Sequence, residues 1–201
     1  MIDYGIIVMG ASQGGINAWK HILPNLSKNL AVPIILVQHQ KSNSDNKLIE
    51  LLSTFSNLPV ERVIDGMKLQ AGYIYVAPAN YHLLVNADET LSLDVSSPVL
   101  FSRPSIDVTF QSALSIYGKR LLAVLLTGAN SDGSLAMKLI KEWGGTTIIE
   151  NPNTAEAFYM PKSAIAQSFP DYVLPLAELS QKLNQLTCST FPASHEMEST
   201  L

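Results

Sequence analysis

Five short runs of apolar, largely β-branched residues punctuate the chain, and each ends on a polar or glycine-rich turn. Ile6-Ile7-Val8-Met9 stops at Gly10, Pro33-Ile34-Ile35-Leu36-Val37 at Gln38-His39, and Tyr73-Ile74-Tyr75-Val76-Ala77 at Pro78. Leu121 to Leu126 stops at Thr127-Gly128, and Thr146-Thr147-Ile148-Ile149 at Glu150-Asn151. The runs are continuous rather than alternating, the pattern of parallel strands buried on both faces. Helical spacing fills several of the gaps. Residues 17–26 carry Trp19, Ile22, Leu23 and Leu26 on one face, and residues 45–55 carry Leu48, Leu51, Leu52 and Phe55. A helix over 104–117 would start with Pro104 at its first position and bury Val108, Leu114 and Tyr117. Another over 134–143 would end at Gly144-Gly145. This alternation predicts a three-layer α/β/α fold, doubly wound around a mainly parallel sheet with right-handed crossovers. Tyr81 to Val85 and Thr90 to Leu93, joined by Asn86-Ala87-Asp88-Glu89, predict an antiparallel β-hairpin at one edge of that sheet.

Composition narrows the class. The 201 residues are 47% hydrophobic and 15% charged, and that charge content is low against about 25% in an ordinary globular chain. Disorder is excluded on that balance. One catalytic-size domain over 1–186 is expected, followed by a Ser-, Thr- and Pro-rich tail over 187–201. With 13 basic and 17 acidic residues the net charge is −4, so a nucleic-acid partner, which needs clustered Lys and Arg, is not expected. No apolar run approaches the ~20 residues that span a bilayer, and the start has no basic n-region, so neither membrane insertion nor a signal peptide is expected. The single cysteine, Cys188, has no partner for an internal disulfide, which fits a cytoplasmic setting. His21, His82 and His195 are scattered without ligand spacing, so no metal site is expected.

In an open parallel sheet, ligands bind outside the carboxyl ends of the strands. Three of those ends carry Gly10-Ala11-Ser12-Gln13-Gly14-Gly15, Gln38-His39-Gln40, and Thr127-Gly128-Ala129-Asn130-Ser131-Asp132-Gly133. A serine, a histidine and an aspartate are the ingredients of a nucleophile, a base and a group that orients the base. The first turn also fits Gly-x-Ser-x-Gly, where small neighbours let a serine oxygen sit exposed on a tight strand-to-helix turn. The order Ser, His, Asp differs from that of α/β-hydrolases, but triads are recognised by geometry, not order. A dinucleotide site fits poorly: Ser12 stands where the second glycine of the fingerprint belongs, and no acidic residue ends the second strand. No Walker-type Gly-Lys-Ser/Thr follows any strand, and no cofactor is expected. Each residue also has a structural role open to it. Ser12 could cap a helix, and Asp132 could cap the one beginning near Ser134.

Ile7 to Gly15, Val37-Gln38-His39, Tyr75-Val76-Ala77-Pro78, Arg103-Pro104-Ser105-Ile106-Asp107, Leu126-Thr127-Gly128, Asp132-Gly133 and Met160-Pro161 together resemble the catalytic domain of CheB-type chemotaxis protein-glutamate methylesterases. The likeness runs in order from about residue 4 to about residue 183. It implies hydrolysis of γ-glutamyl methyl esters on the cytoplasmic helices of methyl-accepting chemoreceptors, releasing methanol, and in many members deamidation of receptor glutamines. It implies a triad at Ser12, His39 and Asp132, and oxyanion donors at the Gln13 and Ala129 backbone N–H groups. Three positions depart from the family pattern: Gln13 stands for a threonine, and Ala129-Asn130 for Met-Gly. With Asn130 in place of a glycine the turn has to accept a Cβ, and asparagine tolerates left-handed geometry better than most residues. Family members often carry an N-terminal receiver domain; this chain starts at the first catalytic strand, so control is expected to come from a separate receiver or kinase protein. Arg103 is the candidate substrate-binding charge, suited to the acidic flank of a methylation site. Two other classes fit the same sequence: a non-catalytic CheB-like binding module, and an esterase acting on a non-receptor methyl ester.

Overall fold

The computed structural model describes residues 3–40 and 45–188. In chain order the elements are β1 (Ile6–Ala11), α1 (Gly15–Ile22), β2 (Ile34–Gln38), α2 (Asp45–Phe55), β3 (Val60–Arg62), β4 (Met67–Lys68), β5 (Ile74–Val76), β6 (His82–Val85), β7 (Thr90–Asp94), α3 (Ile106–Tyr117), β8 (Leu121–Leu125), α4 (Ser134–Glu142), β9 (Thr146–Glu150), α5 (Tyr159–Ser168), β10 (Tyr172–Leu174) and α6 (Leu176–Thr187). Seven strands form one sheet in the order β10-β9-β8-β1-β2-β5-β3, and every pairing in it is parallel. The chain builds β2, β3 and β5 on one side of β1, with β3 at the edge and β5 inserted between it and β2, and then crosses over to lay down β8, β9 and β10 on the other; β1 thus borders the topological switch point where a crevice opens above the strand ends.

Successive strand residues point to opposite faces, and both faces are covered. Ile6 and Val8 join Ile35, Val37, Phe110 and Met137 in one core. Ile7 and Met9 join Ile34, Leu36, Trp19 and Leu52 in the other. The first core lies under α3, α4 and α5, the second under α1, α2 and α6. This double burial explains why β1, β2, β8 and β9 read as unbroken apolar runs, with every residue of each strand buried.

The expected hairpin forms, but not at an edge of this sheet. β6 and β7 pair antiparallel, and β4 adds a third strand to make a separate sheet. Leu83, Val85 and Leu91 pack into the α3 side of the core. The physical reason is burial on one face only: alternate residues of the hairpin need an apolar partner layer, and helix α3 supplies it. A second correction concerns α3. Pro104 precedes the helix rather than opening it, its bond to Arg103 is cis, and Ser105 is the N-cap, its side chain accepting the Val108 N–H. Leu114 and Tyr117 are buried as expected, together with Ile106, Asp107 and Phe110, while Val108 is only half-buried. Strands β3, β4 and β10 and helices α5 and α6 fall outside the elements expected from the hydrophobic pattern. Residues 189–201, most of the expected tail, lie outside the described residues; Thr187 instead closes α6 and is buried. No described helix is long and apolar enough to cross a membrane.

Close approach of α3 to β1 depends on Gly10, where a Cβ would meet Ile106 Cγ2 at 2.7 Å. Gly10→Ala should therefore destabilise the fold by about 1–3 kcal/mol through overpacking. Urea unfolding monitored by far-UV circular dichroism checks this; an unchanged midpoint would show that the helix can step back freely.

Candidate active site

Helix α1 begins immediately after the Ser12 turn, with Gly14 (φ 82°) as its N-cap and no side-chain cap. Ser12 is therefore not the cap, and its hydroxyl is not spent on the helix. Its backbone is fixed instead. The Ser12 N–H donates to Thr127 O at 2.9 Å, and its carbonyl accepts from Gln38 Nε2 at 2.9 Å. Gln38 is buried at the end of β2 and ties three segments together: Nε2 also donates to His39 O, and Oε1 accepts from Trp19 Nε1. Thus one amide side chain holds the backbone of Ser12 and His39 in a common frame. Ala11 pairs with Gln38 across β1 and β2, which sets the two residues side by side at neighbouring strand ends.

Asp132 lies on the loop after β8 and is completely buried. Its carboxylate accepts from His39 Nε2 at 2.8 Å, Ile106 N at 2.7 Å, Asp107 N at 3.0 Å and Ser105 Oγ at 2.9 Å. It does cap a helix, but α3 rather than α4, whose N-cap is Gly133 at φ 91°. Burial alone would raise its pKa. The His39 hydrogen bond and the backbone N–H groups of Asp107 and Ile106 outweigh that cost and hold the carboxyl below its ordinary value. An ionised carboxylate only accepts, so the proton on this contact sits on His39 Nε2. Neutral His39 then exposes Nδ1 as its basic nitrogen. Nδ1 lies 3.3 Å from Ser102 Oγ, and no hydrogen bond joins it to Ser12 Oγ among the described residues.

The N–H groups of Gln13 and Ala129 donate to no partner among the described residues, and both residues are exposed. They remain available to a ligand oxygen beside Ser12. Asn130 has no left-handed backbone. Its Oδ1 instead accepts the Asp132 N–H at 3.2 Å, a local side-chain turn that substitutes for a glycine. Arg103 borders a cavity of about 220 Å³ that His39, Gln40, Asn80, Phe101 and Ser102 also line. Two of its hydrogen bonds, from Nη1 to the Val95 and Ser96 carbonyls, anchor the loop before it. A second, more apolar cavity of about 260 Å³ opens on the other side of His39 between Ile16, Leu48 and Leu51, with Lys47 at its rim.

Several residues that shape this site carry no distinguishing signal in the sequence. His82 is fully buried; its Nδ1 accepts the Ser105 N–H and its Nε2 meets Ser97 O at 3.1 Å. Asp107 caps α4 through the Ala136 N–H; burial and the neighbouring Asp132 charge lift its pKa to about 6. Glu150 is fully buried at the end of β9. Its Oε2 accepts the Thr127 N–H at 2.8 Å, while Oε1 has no hydrogen-bond partner. Thr127 in turn receives Ser12 N at its carbonyl and donates its hydroxyl to Gln13 O. Glu150 thus supports the Ser12 turn at one remove. The only linear signal is a carboxylate ending an apolar run, which by itself points to a solvated turn.

Burial, assisted by the Glu156 charge and opposed by the Thr127 hydrogen bond, pushes the Glu150 pKa up to about 7. A carboxyl whose folded pKa exceeds its unfolded value stabilises the fold fully below the unfolded value, and that contribution is lost as pH rises through the folded value. Stability should therefore fall between about pH 4.5 and pH 7 on this account. Glu150→Gln keeps an acceptor for Thr127 and cannot ionise, so it should flatten that decline and gain about 1–3 kcal/mol over the wild type at pH 8. Unfolding titrations at pH 5 and pH 8 decide it; equal losses in both proteins would remove Glu150 as the source.

Comparison with known proteins places this geometry. Residues 7–183 match the family model described as CheB methylesterase. A relative from Leptospira interrogans is 45% identical over 187 residues, covering 92% of this chain and 97% of its own length. The protein-glutamate methylesterase/protein-glutamine glutaminase of Thermotoga maritima is 38% identical over 184 residues, of which this chain spans 54% of the length. The crystal structure of the T. maritima CheB methylesterase catalytic domain superposes with a TM-score of 0.88 at 36% identity, covering 92% of this chain and all of the other. A parallel sheet with the Ser12 strand at its switch point, and a match whose span takes in all three strand-end turns, have one common explanation: the chain belongs to the CheB methylesterase family.

Proposed function

We propose that this protein-glutamate methylesterase and glutaminase works through Ser12, with His39 Nδ1 as the base, on the methylated cytoplasmic helices of chemoreceptors. The single observation that carries the assignment is the four-fold hydrogen-bonded Asp132 carboxylate on His39 Nε2, which leaves Nδ1 as the only basic nitrogen of the ring.

His39 Nδ1 takes the Ser12 proton as the oxygen attacks the γ-ester carbonyl. The imidazolium formed is stabilised by Asp132, which keeps its charge. The free N–H groups of Gln13 and Ala129, next to the N-terminus of α1, meet the tetrahedral oxyanion. The proton on His39 passes to the departing methoxide and methanol leaves. A water, deprotonated by the same nitrogen, then opens the acyl-enzyme and yields the glutamate. An amide in place of the ester follows the same steps and releases ammonia. Ser102, although nearer to Nδ1 by hydrogen bonding, is a poor nucleophile: its N–H is committed to Val99 O, and the α3 N-terminus beyond it is filled by Asp132.

Ser12→Ala should lower methanol release from a methylated receptor fragment by at least about 10³-fold with the fold retained, and Asp132→Asn should cost about 10⁴-fold in kcat. A serine-reactive phosphonate should label wild type at Ser12, located by peptide mass. Labelling at another serine, or full turnover by Ser12→Ala, would overturn the assignment.

A further inference from the structure

We propose that Ser102 is a positioning residue that holds the His39 base in reserve, and that Phe101 is the substrate contact that frees it. The inference rests on His39 Nδ1 being the base, as argued above.

The basic nitrogen of His39 is occupied in this structure. With Nε2–H turned to Asp132, Nδ1 can only accept, so the Ser102 hydroxyl is the donor at 3.3 Å. That bond is long, and it must break before Nδ1 can take the Ser12 proton. Ser102 closes a two-residue turn with Val99, through Val99 N to Ser102 O at 3.1 Å and Ser102 N to Val99 O at 2.8 Å. The two central residues, Leu100 at φ 45° and Phe101 at φ 63°, are both left-handed. Such a turn is normally made by Asn-Gly, and bulky residues there mark strain held by the surrounding structure. Phe101 is fully exposed and Leu100 nearly half exposed, at the lip of the cavity that contains His39.

The loop is fixed at its base, and among the described residues no hydrogen bond ties Leu100 or Phe101 at its tip. Arg103 holds the Val95 and Ser96 carbonyls, and His82 holds Ser97. Movement is thereby confined to the tip, where the exposed ring and the closing hydroxyl are adjacent residues of one turn. A substrate protein that covers Phe101 tilts the turn and withdraws the Ser102 hydroxyl from Nδ1. A small ester that reaches Ser12 without touching Phe101 leaves the hydroxyl in place.

The test compares methanol release from a methylated receptor fragment with hydrolysis of p-nitrophenyl acetate. Ser102→Ala should raise kcat/KM on the small ester by about two- to tenfold, the worth of one ordinary hydrogen bond. Its gain on the receptor fragment should be smaller, and Ser102→Thr, which keeps the hydroxyl, should restore the wild-type ratio. Phe101→Ala should lower receptor kcat, and adding Ser102→Ala should recover it. The imidazole ¹⁵N spectrum should show the Nδ1 resonance shifting in Ser102→Ala. A fall in both rates, or no change in either, overturns the reserve role. An equal rise on both substrates, or a double variant no faster than Phe101→Ala, overturns Phe101 as the trigger. If wild type hydrolyses the small ester but releases no methanol, the receptor reading fails, while the small-ester comparison still decides the role of Ser102.

Discussion

The buried carboxylate of Asp132 is the constraint around which the rest is arranged. A charge with no exposure is tolerable only when every lone pair is met. Here the N-terminus of α3 supplies two N–H groups, Ser105 a hydroxyl and His39 a ring N–H. Three of those donors are the consecutive residues Ser105, Ile106 and Asp107, while His39 and the carboxylate itself come from distant parts of the chain. They are brought together because α3 packs against β1 at Gly10 and because the loop after β8 turns back over the same crevice. The helix end is stabilised by the negative charge, and the charge by the helix end. Asp107 returns the arrangement by capping α4 from the first turn of α3, so the two helices terminate on each other's carboxylates.

The other half of the site is held by neutral groups. Gln38 fastens the Ser12 and His39 carbonyls, and Thr127 fastens Ser12 and Gln13 from the opposite side. Both clamps act on backbone atoms and leave the Ser12 hydroxyl unengaged. Helix α1 can come this close only because Gly15 lacks a side chain; a Cβ there would meet Gln38 Oε1 at 2.0 Å. Preorganisation in this site is thus mainly a matter of where the turns are tied.

The parts legible in the sequence share one property: they are signalled locally. Strands buried on both faces announce themselves as apolar runs, and the turns after them mark Ser12, His39 and Asp132 as candidates by strand-end position alone. Strand β4, two residues long, has no periodicity to read. The hairpin is visible, but its partner strand is not, since β4 pairs with β7 from earlier in the chain, with β5 of the other sheet between them. The sequence places the start of α3 too early because a proline is a strong start signal and Ser105 is a quiet one, identified only by the bonds it makes with Val108 and Asp132. Gln38 and Asp107 stand in stretches that carry the family likeness, but their roles, like that of Glu150, run through contacts with residues distant in the chain or through a burial that linear order does not encode.

The choice of ring nitrogen has a consequence for reach. In the familiar serine protease arrangement the aspartate binds Nδ1 and the serine meets the far nitrogen, Nε2, at the end of the ring. Here the aspartate holds the far nitrogen, which turns the near edge of the imidazole, beside its own Cβ, toward the crevice. A ring working from that edge has almost no lever arm, so under the proposed mechanism the Ser12 hydroxyl has to come from a strand immediately beside the one that carries His39. Neighbouring parallel strands in matched register provide that placement without any loop, and β1 and β2 end in such a register at Ala11 and Gln38. Inserting or deleting one residue in either strand would reverse the direction of the side chains beyond it, so the spacing of the sheet itself sets the tolerance of the Ser12–His39 pairing.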